Sequence, residues 1–220
     1  GETMSVDDLL KSMIVASAND AAVALAEYVC GSEDVFVACM NERAKELGCK
    51  NTHFENPTGL DDTASGHIMS ARDIAVISRE VIKHELVYSY STIWMDTIRG
   101  GAFGLTNTNR LIRFYKGATG LKTGSTSKAK FCISATAERG GLTLIAVIMA
   151  APTRDIRNEA AKSLFDYGFA NYSLYTDEPE EFEDIYVTGG KENLTKGVSS
   201  GFSVVVSKGD AGKIEKVTDV

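Results

Sequence analysis

The chain has 220 residues, 44% of them hydrophobic and 24% charged, which is enough for one substantial core and a small appendage. Its formal net charge of −7 argues against a general nucleic-acid binder, which needs a basic face to neutralise phosphates, so any anion site must be local. The longest apolar run, residues 142–151, is about half of the roughly 20 residues that a membrane-spanning helix requires, and it reads as a buried strand.

No charged, apolar, small-residue leader opens the chain, which leaves a cytoplasmic protein or a trimmed product of an exported one. Over residues 5–16, Val6, Leu9, Leu10, Met13 and Ile14 recur at spacings of three and four, the pattern of a helix with one buried face, and Asp7 and Asp8 suit its first turn. A second helix is expected from Asp20 to Cys30, stopping at Gly31. Ser32, followed by Glu33 and Asp34, caps a third that ends near Gly48. Residues 51–65 carry Asn56-Pro57, Gly59 and Asp61-Asp62 and should be irregular, before a further helix over residues 70–82.

From Trp94 the texture changes. Gly100-Gly101 reads as a hairpin turn, and residues 120–124, 131–137 and 142–150 read as strands, the last two forming an antiparallel hairpin about Gly140-Gly141. Residues 154–167 return to helical spacing through Ile156, Ala160, Leu164 and Phe165, with Gly168 as the expected stop. Beyond Asn171 an acidic linker, residues 177–183, precedes short strands near Ile185, Phe202 and Ile214, separated by Gly189-Gly190 and Lys208-Gly209-Asp210. The four cysteines, Cys30, Cys39, Cys49 and Cys132, include no Cys-x-x-Cys pair and no histidine at zinc-ligand spacing, so a metal site is not expected. Cys30 and Cys39 sit among apolar neighbours, where a free thiol acts as a small apolar side chain, and the spacing gives no support for a disulfide.

Two short motifs carry chemistry: Ser17-Ala18-Asn19 and Lys122-Thr123-Gly124. Alone, a Ser-x-Asn between helices is usually a helix cap, and Lys-Thr-Gly is usually a strand end. Their order and settings raise both. The first lies between two apolar helices, where a hydroxyl and an amide can project into a cleft. The second opens a strand whose side can pair with an extended peptide, glycine leaving the approach unobstructed.

With these motifs, residues 1–171 resemble the serine D-alanyl-D-alanine carboxypeptidases, the low-molecular-weight penicillin-binding proteins of the peptidase S11 family. The resemblance runs through Gly1-Glu2, Leu9-Leu10, Ser17-Ala18-Asn19-Asp20-Ala21-Ala22, Asn56-Pro57-Thr58-Gly59-Leu60, Asn107-Thr108-Asn109, Leu121-Lys122-Thr123-Gly124-Ser125-Thr126, Arg157 and Asp166-Tyr167-Gly168-Phe169. It implies an α/β (α+β) sandwich of the serine β-lactamase and transpeptidase kind, an antiparallel sheet flanked by helices. Residues 1–171 would form this catalytic domain, and residues 172–220 the start of a small β-rich one.

The resemblance also implies roles. Ser17 would relay a proton to the leaving D-alanine amine and Asn19 would hold the substrate amide. Lys122 would supply positive potential and Thr123, with Gly124 beside it, would bind the terminal carboxylate, supported by Arg157. The backbone N–H of Ser125 would be one donor of an oxyanion hole. Without the resemblance, Arg157 reads equally well as an exposed helical charge. Ser125 stands where many members have histidine, and Lys130 where glycine is frequent; a Lys130 side chain directed to solvent is the expectation.

The family's nucleophile lies in a Ser-x-x-Lys motif well before the position of Ser17. Two literal matches exist here, Ser125 to Lys128 and Ser127 to Lys130, but the mechanism needs serine and lysine one helical turn apart on one face, and this segment is expected to be strand. The expectation is a chain that lacks the N-terminal segment with the nucleophile, is inactive alone, and has that segment of the same protein as a partner. The implied ligands are a peptidoglycan stem peptide ending in D-Ala-D-Ala and β-lactam antibiotics, and the resemblance implies no metal or organic cofactor. The implied location is extracytoplasmic and membrane-associated. A class A-like β-lactamase and a non-catalytic muropeptide-binding pseudoenzyme are the competing readings; fast penicillin turnover would mark the first, absence of an upstream Ser-x-x-Lys the second.

Overall fold

In the computed structural model, residues 1–62, 64–181, 185–186, 188–189 and 194–215 are described. The helical run begins with α1 (Val6–Val15), α2 (Asn19–Cys30) and α3 (Glu33–Glu46), and continues after an irregular stretch with α4 (Ala71–Val81) and α5 (Glu85–Ser91). Their ends follow local chemistry. The hydroxyls of Ser5, Ser32 and Ser70 accept from the backbone N–H three residues on, in α1, α3 and α4 respectively, satisfying one otherwise orphaned donor each. Gly31 closes α2 in the left-handed region at φ +81°, which glycine enters without steric penalty.

The strands follow. β1 (Met95–Ile98) and β2 (Phe103–Thr106) form an antiparallel pair in which Ile98 faces Phe103, joined through a tight turn at Arg99–Gly101. Beyond α6 (Leu111–Phe114), β3 (Ala118–Thr126), β4 (Lys130–Arg139) and β5 (Leu142–Ala151) make one sheet in that order, with β3 antiparallel to β4 and Thr123 opposite Ile133. All three strands run longer than their apolar cores suggest. Lys130, exposed as expected, sits at φ +56°, a left-handed conformation that explains why glycine suits this position better than a β-branched residue. The helices and the antiparallel sheet make the mixed architecture that was expected.

Three features differ from the expected ones. α7 (Arg154–Asn171) runs through Gly168 instead of stopping there. A glycine inside a helix costs about 1 kcal/mol relative to alanine; here Phe165 and Phe169, one turn apart, are 1% and 9% exposed and their burial outweighs that cost. No strand is expected directly after Asn171, yet β6 (Tyr172–Asp177) starts at once, reaching the first residue of the expected linker, and pairs antiparallel with β9 (Phe202–Ser207), while β7 (Ile185–Tyr186) pairs with β8 (Leu194–Thr195). Ile214 is not in a strand but follows a short 3-10 turn at Ala211–Lys213. Residues 182 and 183 of the expected acidic linker, and Gly190 of the expected glycine pair, lie outside the described residues.

The chain divides into two compact units, Gly1–Glu138 with Thr143–Phe165, and Arg139–Leu142 with Asp166–Val220. The first contains a buried cluster of Val15, Ile98 and Leu105, backed by Met4, Ala16 and Ile93. It anchors the end of α1 against the β1–β2 pair, and so fixes where the chain emerges into the residues between α1 and α2.

Candidate active site

Ser17 lies where α1 has ended and α2 has not begun. The N-cap of α2 is Ala18, which has no side-chain oxygen, so Ser17 is not a cap. Its backbone sits at φ +62°, a conformation that costs a non-glycine residue energy and that recurs at functional sites. The turn swings the hydroxyl towards β3, where Lys122 Nζ donates to Ser17 Oγ at 2.5 Å, across 105 residues of sequence. The same ammonium donates to the Thr123 carbonyl oxygen at 2.8 Å.

Neither contact supplies a negative charge. Among the described residues no carboxylate lies within ion-pair distance of Lys122 or of Arg157. Burial, with the Arg157 guanidinium adding to it, pushes the Lys122 ammonium down from its ordinary 10.5 to about 8. A half-buried cation without a counter-ion is an anion-receptive point in an otherwise acidic protein.

Arg157 is not the exposed helical charge its position allows. It is 2% exposed. Its Nε and Nη2 donate to Asn158 Oδ1 at 3.1 and 3.0 Å, and its Nη1 points to the Cys132 carbonyl oxygen at 3.4 Å. Cys132 lies directly opposite Gly124 in the β3–β4 ladder, which places this guanidinium behind the Lys122 strand, with Nε, Nη1 and Nη2 each making one of these bonds.

Gly124 is exposed, and an added Cβ there would meet nothing within 4 Å. Packing therefore does not require glycine at 124; being two residues from Lys122, it shares that face and leaves it clear. Gly120 on the same strand is the opposite case. Its Cβ would come 3.1 Å from both Ser91 Oγ and Thr136 Oγ1, side chains that are themselves buried. Ser125 is exposed further along β3, facing Phe131 across the ladder. Asn19, the first residue of α2, is exposed, and its side chain makes no hydrogen bond among the described residues.

Thr123 is placed differently from the other candidates. It is 8% exposed, and its hydroxyl donates to Thr108 Oγ1 at 2.7 Å. Thr108 belongs to the Asn107-Thr108-Asn109 segment, to which sequence reasoning gave no role. Asn107 Nδ2 donates to the carbonyl oxygens of Ser91 and Ile93, Asn109 Nδ2 donates to that of Gly120, and the Thr108 N–H donates to that of Val15. These buried amides clamp α5, β3 and the end of α1 together. Two asparagines flanking a threonine, just before a short helix, were the only available signal.

The two Ser-x-x-Lys matches are not a nucleophile pair. Ser125 and Thr126 end β3, Ser127, Lys128 and Ala129 form the turn, and Lys130 begins β4. Lys128 Nζ donates to the Asp61 carbonyl oxygen at 2.6 Å, and Thr126 Oγ1 to Asp61 Oδ2 at 2.5 Å, so these residues hold the irregular 51–69 segment against the end of β3. All four cysteines are free. Among the described residues no group of three His, Cys, Asp or Glu side chains is placed to hold a metal, and no helix is long and apolar enough to cross a membrane.

Residues 1–153 match the family model described as D-alanyl-D-alanine carboxypeptidase. The chain is 40% identical over 216 residues to the D-alanyl-D-alanine carboxypeptidase DacF of Bacillus subtilis, covering 96% of this chain and 55% of that protein. Among solved structures it resembles penicillin binding protein 6B from Escherichia coli, with TM-score 0.79, 36% identity and coverage of 98% of this chain and 63% of that one. Penicillin-Binding Protein D2 from Listeria monocytogenes in its cefotaxime-bound form matches with TM-score 0.71 and 35% identity, covering 77% of this chain and 68% of that one. The chain thus spans about half the length of the curated relatives it matches.

Proposed function

The chain belongs to the D-alanyl-D-alanine carboxypeptidase family, and from that premise we propose that the natively expressed protein removes the terminal D-alanine from peptidoglycan stem peptides through a serine acyl-enzyme. The observation that carries this reading is the Lys122 Nζ to Ser17 Oγ hydrogen bond at 2.5 Å, with no carboxylate beside the ammonium.

Because Lys122 donates to the Ser17 oxygen, the hydroxyl proton of Ser17 is left for another acceptor. As the attacking serine bonds to the penultimate D-alanine carbonyl carbon and the peptide C–N bond breaks, Ser17 hands that proton to the departing amine. Lys122, made more acidic by burial, then reprotonates Ser17 and is itself restored by the proton that the attacking serine loses, so acylation leaves no net proton behind. Water hydrolyses the ester and restores the serine. Asn19 holds the substrate amide, Gly124 leaves room for the extended peptide, the Ser125 N–H contributes to the oxyanion hole, and Arg157 adds positive potential from behind β3.

Neither Ser-x-x-Lys match in residues 1–220 lies on a helix. On this reading the attacking serine comes from a segment of the same protein outside these residues, and the 220 residues by themselves are inactive. β-Lactams acylate the same serine. Residues 1–171 serve as the catalytic domain and residues 172–220 as part of a β-rich second one, and the protein works outside the cytoplasm in association with the membrane.

The test is intact-protein mass spectrometry of natively expressed material incubated with benzylpenicillin. One stable penicilloyl group per chain is the expected result. A chain that never acquires the adduct overturns the acyl-enzyme in favour of a muropeptide binder, and an adduct that turns over rapidly favours a β-lactamase.

A further inference from the structure

A cleft of about 210 Å³ lies between α6 and α7 in the first unit, and neither Ser17 nor Lys122 lines it. Drug-sized ligands occupy pockets of about 300–1,000 Å³, so this one suits a smaller molecule. At its wall stands Asn158, only 7% exposed. The Arg157 guanidinium can only donate, so the Asn158 atom that its Nε and Nη2 grip is the amide oxygen. The other branch of the amide, Nδ2, has no acceptor among the described residues. Nor is it sealed in: every fully buried side-chain nitrogen and oxygen among the described residues has a partner, so this nitrogen opens onto accessible space, and the cleft is the space that Asn158 lines. A largely desolvated amide donor without an acceptor is a cost that an acceptor entering the cleft would remove.

The charges around that donor come in both signs. Arg110 lies 3.9 Å from Asp155, and Lys162 lies 2.8 Å from Glu159. Both are surface pairs, which contribute little by themselves and exchange readily for the charges of a ligand. Phe114 adds an apolar wall, 58% exposed, with the Arg110 guanidinium 5.6 Å from its ring centroid. We propose that this cleft binds a free α-amino acid. Its carboxylate accepts from Asn158 Nδ2 beside the two cations, its ammonium is held by Asp155 and Glu159, and its side chain packs on Phe114. Two cations and two anions sum to zero, which favours a zwitterion over a simple anion or a simple cation. The inference stands on the cleft alone and goes beyond the carboxypeptidase reading.

Calorimetric titration of the natively expressed protein with racemic leucine tests this. Saturable binding with a Kd of about 1 mM or tighter is expected. Isoamylamine, which lacks the carboxylate, and 4-methylpentanoate, which lacks the ammonium, should each bind at least about 10-fold more weakly. Asn158→Asp keeps an acceptor for Arg157 but replaces the amide donor with an acceptor, and should weaken leucine binding roughly 10–100-fold, the scale of a hydrogen bond to a charged group. Repeating the wild-type titration after acylation by benzylpenicillin should return the same affinity. An affinity lost on acylation assigns leucine to the Ser17–Lys122 site and overturns the proposal. So does the absence of saturable binding, equal binding of the three compounds, or wild-type affinity in Asn158→Asp. A protein that benzylpenicillin does not acylate counts against the carboxypeptidase reading alone, and the Asn158→Asp comparison still decides the cleft.

Discussion

Asp73 and Lys122 are both charged groups drawn into the first unit, and the protein treats them in opposite ways. Asp73, 3% exposed, accepts from the Asn51 N–H at 2.7 Å and from Thr52 Oγ1 at 2.9 Å, and the Asn51 backbone bond above all holds its carboxyl below the ordinary carboxylate value. Fixed dipoles replace the lost water. Lys122 has only a hydroxyl and a carbonyl, no counter-ion among the described residues, and its ammonium is pushed down to about 8. A charge fully solvated by the protein ties segments together. One left short of partners is held in readiness for a ligand.

The largest effect should come from removing the unsatisfied charge. Lys122→Met in the natively expressed protein should slow penicillin acylation by about 10³-fold, within the range for losing a positioned proton donor. Its thermal unfolding midpoint should stay level or rise, since an apolar side chain replaces an uncompensated ammonium. The sign follows from the depressed value: the ammonium opposes folding while both states are protonated, below about pH 8, and the penalty fades as pH rises from there towards 10.5. Any gain in stability should therefore be largest below pH 8, and a midpoint that drops sharply at pH 7 would contradict this account.

The same group predicts a pH profile. Carboxypeptidase kcat/KM should decline above about 8 as the ammonium is lost, approaching about tenfold per pH unit if this single ionisation governs the rate. Steady-state kinetics from pH 6 to 10 would reveal it, and a flat profile across pH 8 would separate Lys122 from the rate.

The two glycines of β3 sharpen the contrast between open and packed positions. Gly124→Val should reduce acylation by about tenfold through obstruction while leaving stability near the wild-type value, because its Cβ enters open space. Gly120→Ala should lower stability by about 1–3 kcal/mol, since the new methyl group crowds two buried hydroxyls. Chemical denaturation beside acylation rates would separate the two, and reversed phenotypes would invalidate the assignment.

The smallest effect on activity is expected at Asp73. Asp73→Asn should lower the unfolding midpoint at neutral pH with little change in kcat/KM. A carboxyl held below 3.8 stabilises the fold above that value and loses its contribution as pH falls through the depressed one, so the gap from wild type should close in strong acid. Thermal melts at pH 7 and pH 3 check this.

Much of this architecture could be read from residue order. The helices capped by Ser5, Ser32 and Ser70, the stop at Gly31 and the β3–β4–β5 series follow from periodicity and turn residues within short windows. α5 escaped because seven residues hold too few apolar repeats to register, yet its last residue, Ser91, steadies β3 through a hydroxyl donated to the Thr119 carbonyl oxygen at 2.6 Å. The run of α7 past Gly168 was signalled only by Phe165 and Phe169, whose weight depends on their burial.

By itself the sequence determined the family, the helical and strand segments, and the two motifs that furnish Ser17 and Lys122, because each is written in neighbouring residues. Tertiary structure alone decided that Arg157 is buried behind the strand, that Thr123 spends its hydroxyl on Thr108, and that Lys122 has no counter-ion among the described residues. Those facts depend on which distant side chains share a desolvated space, and desolvation is what changes a lysine's acidity and a hydroxyl's availability.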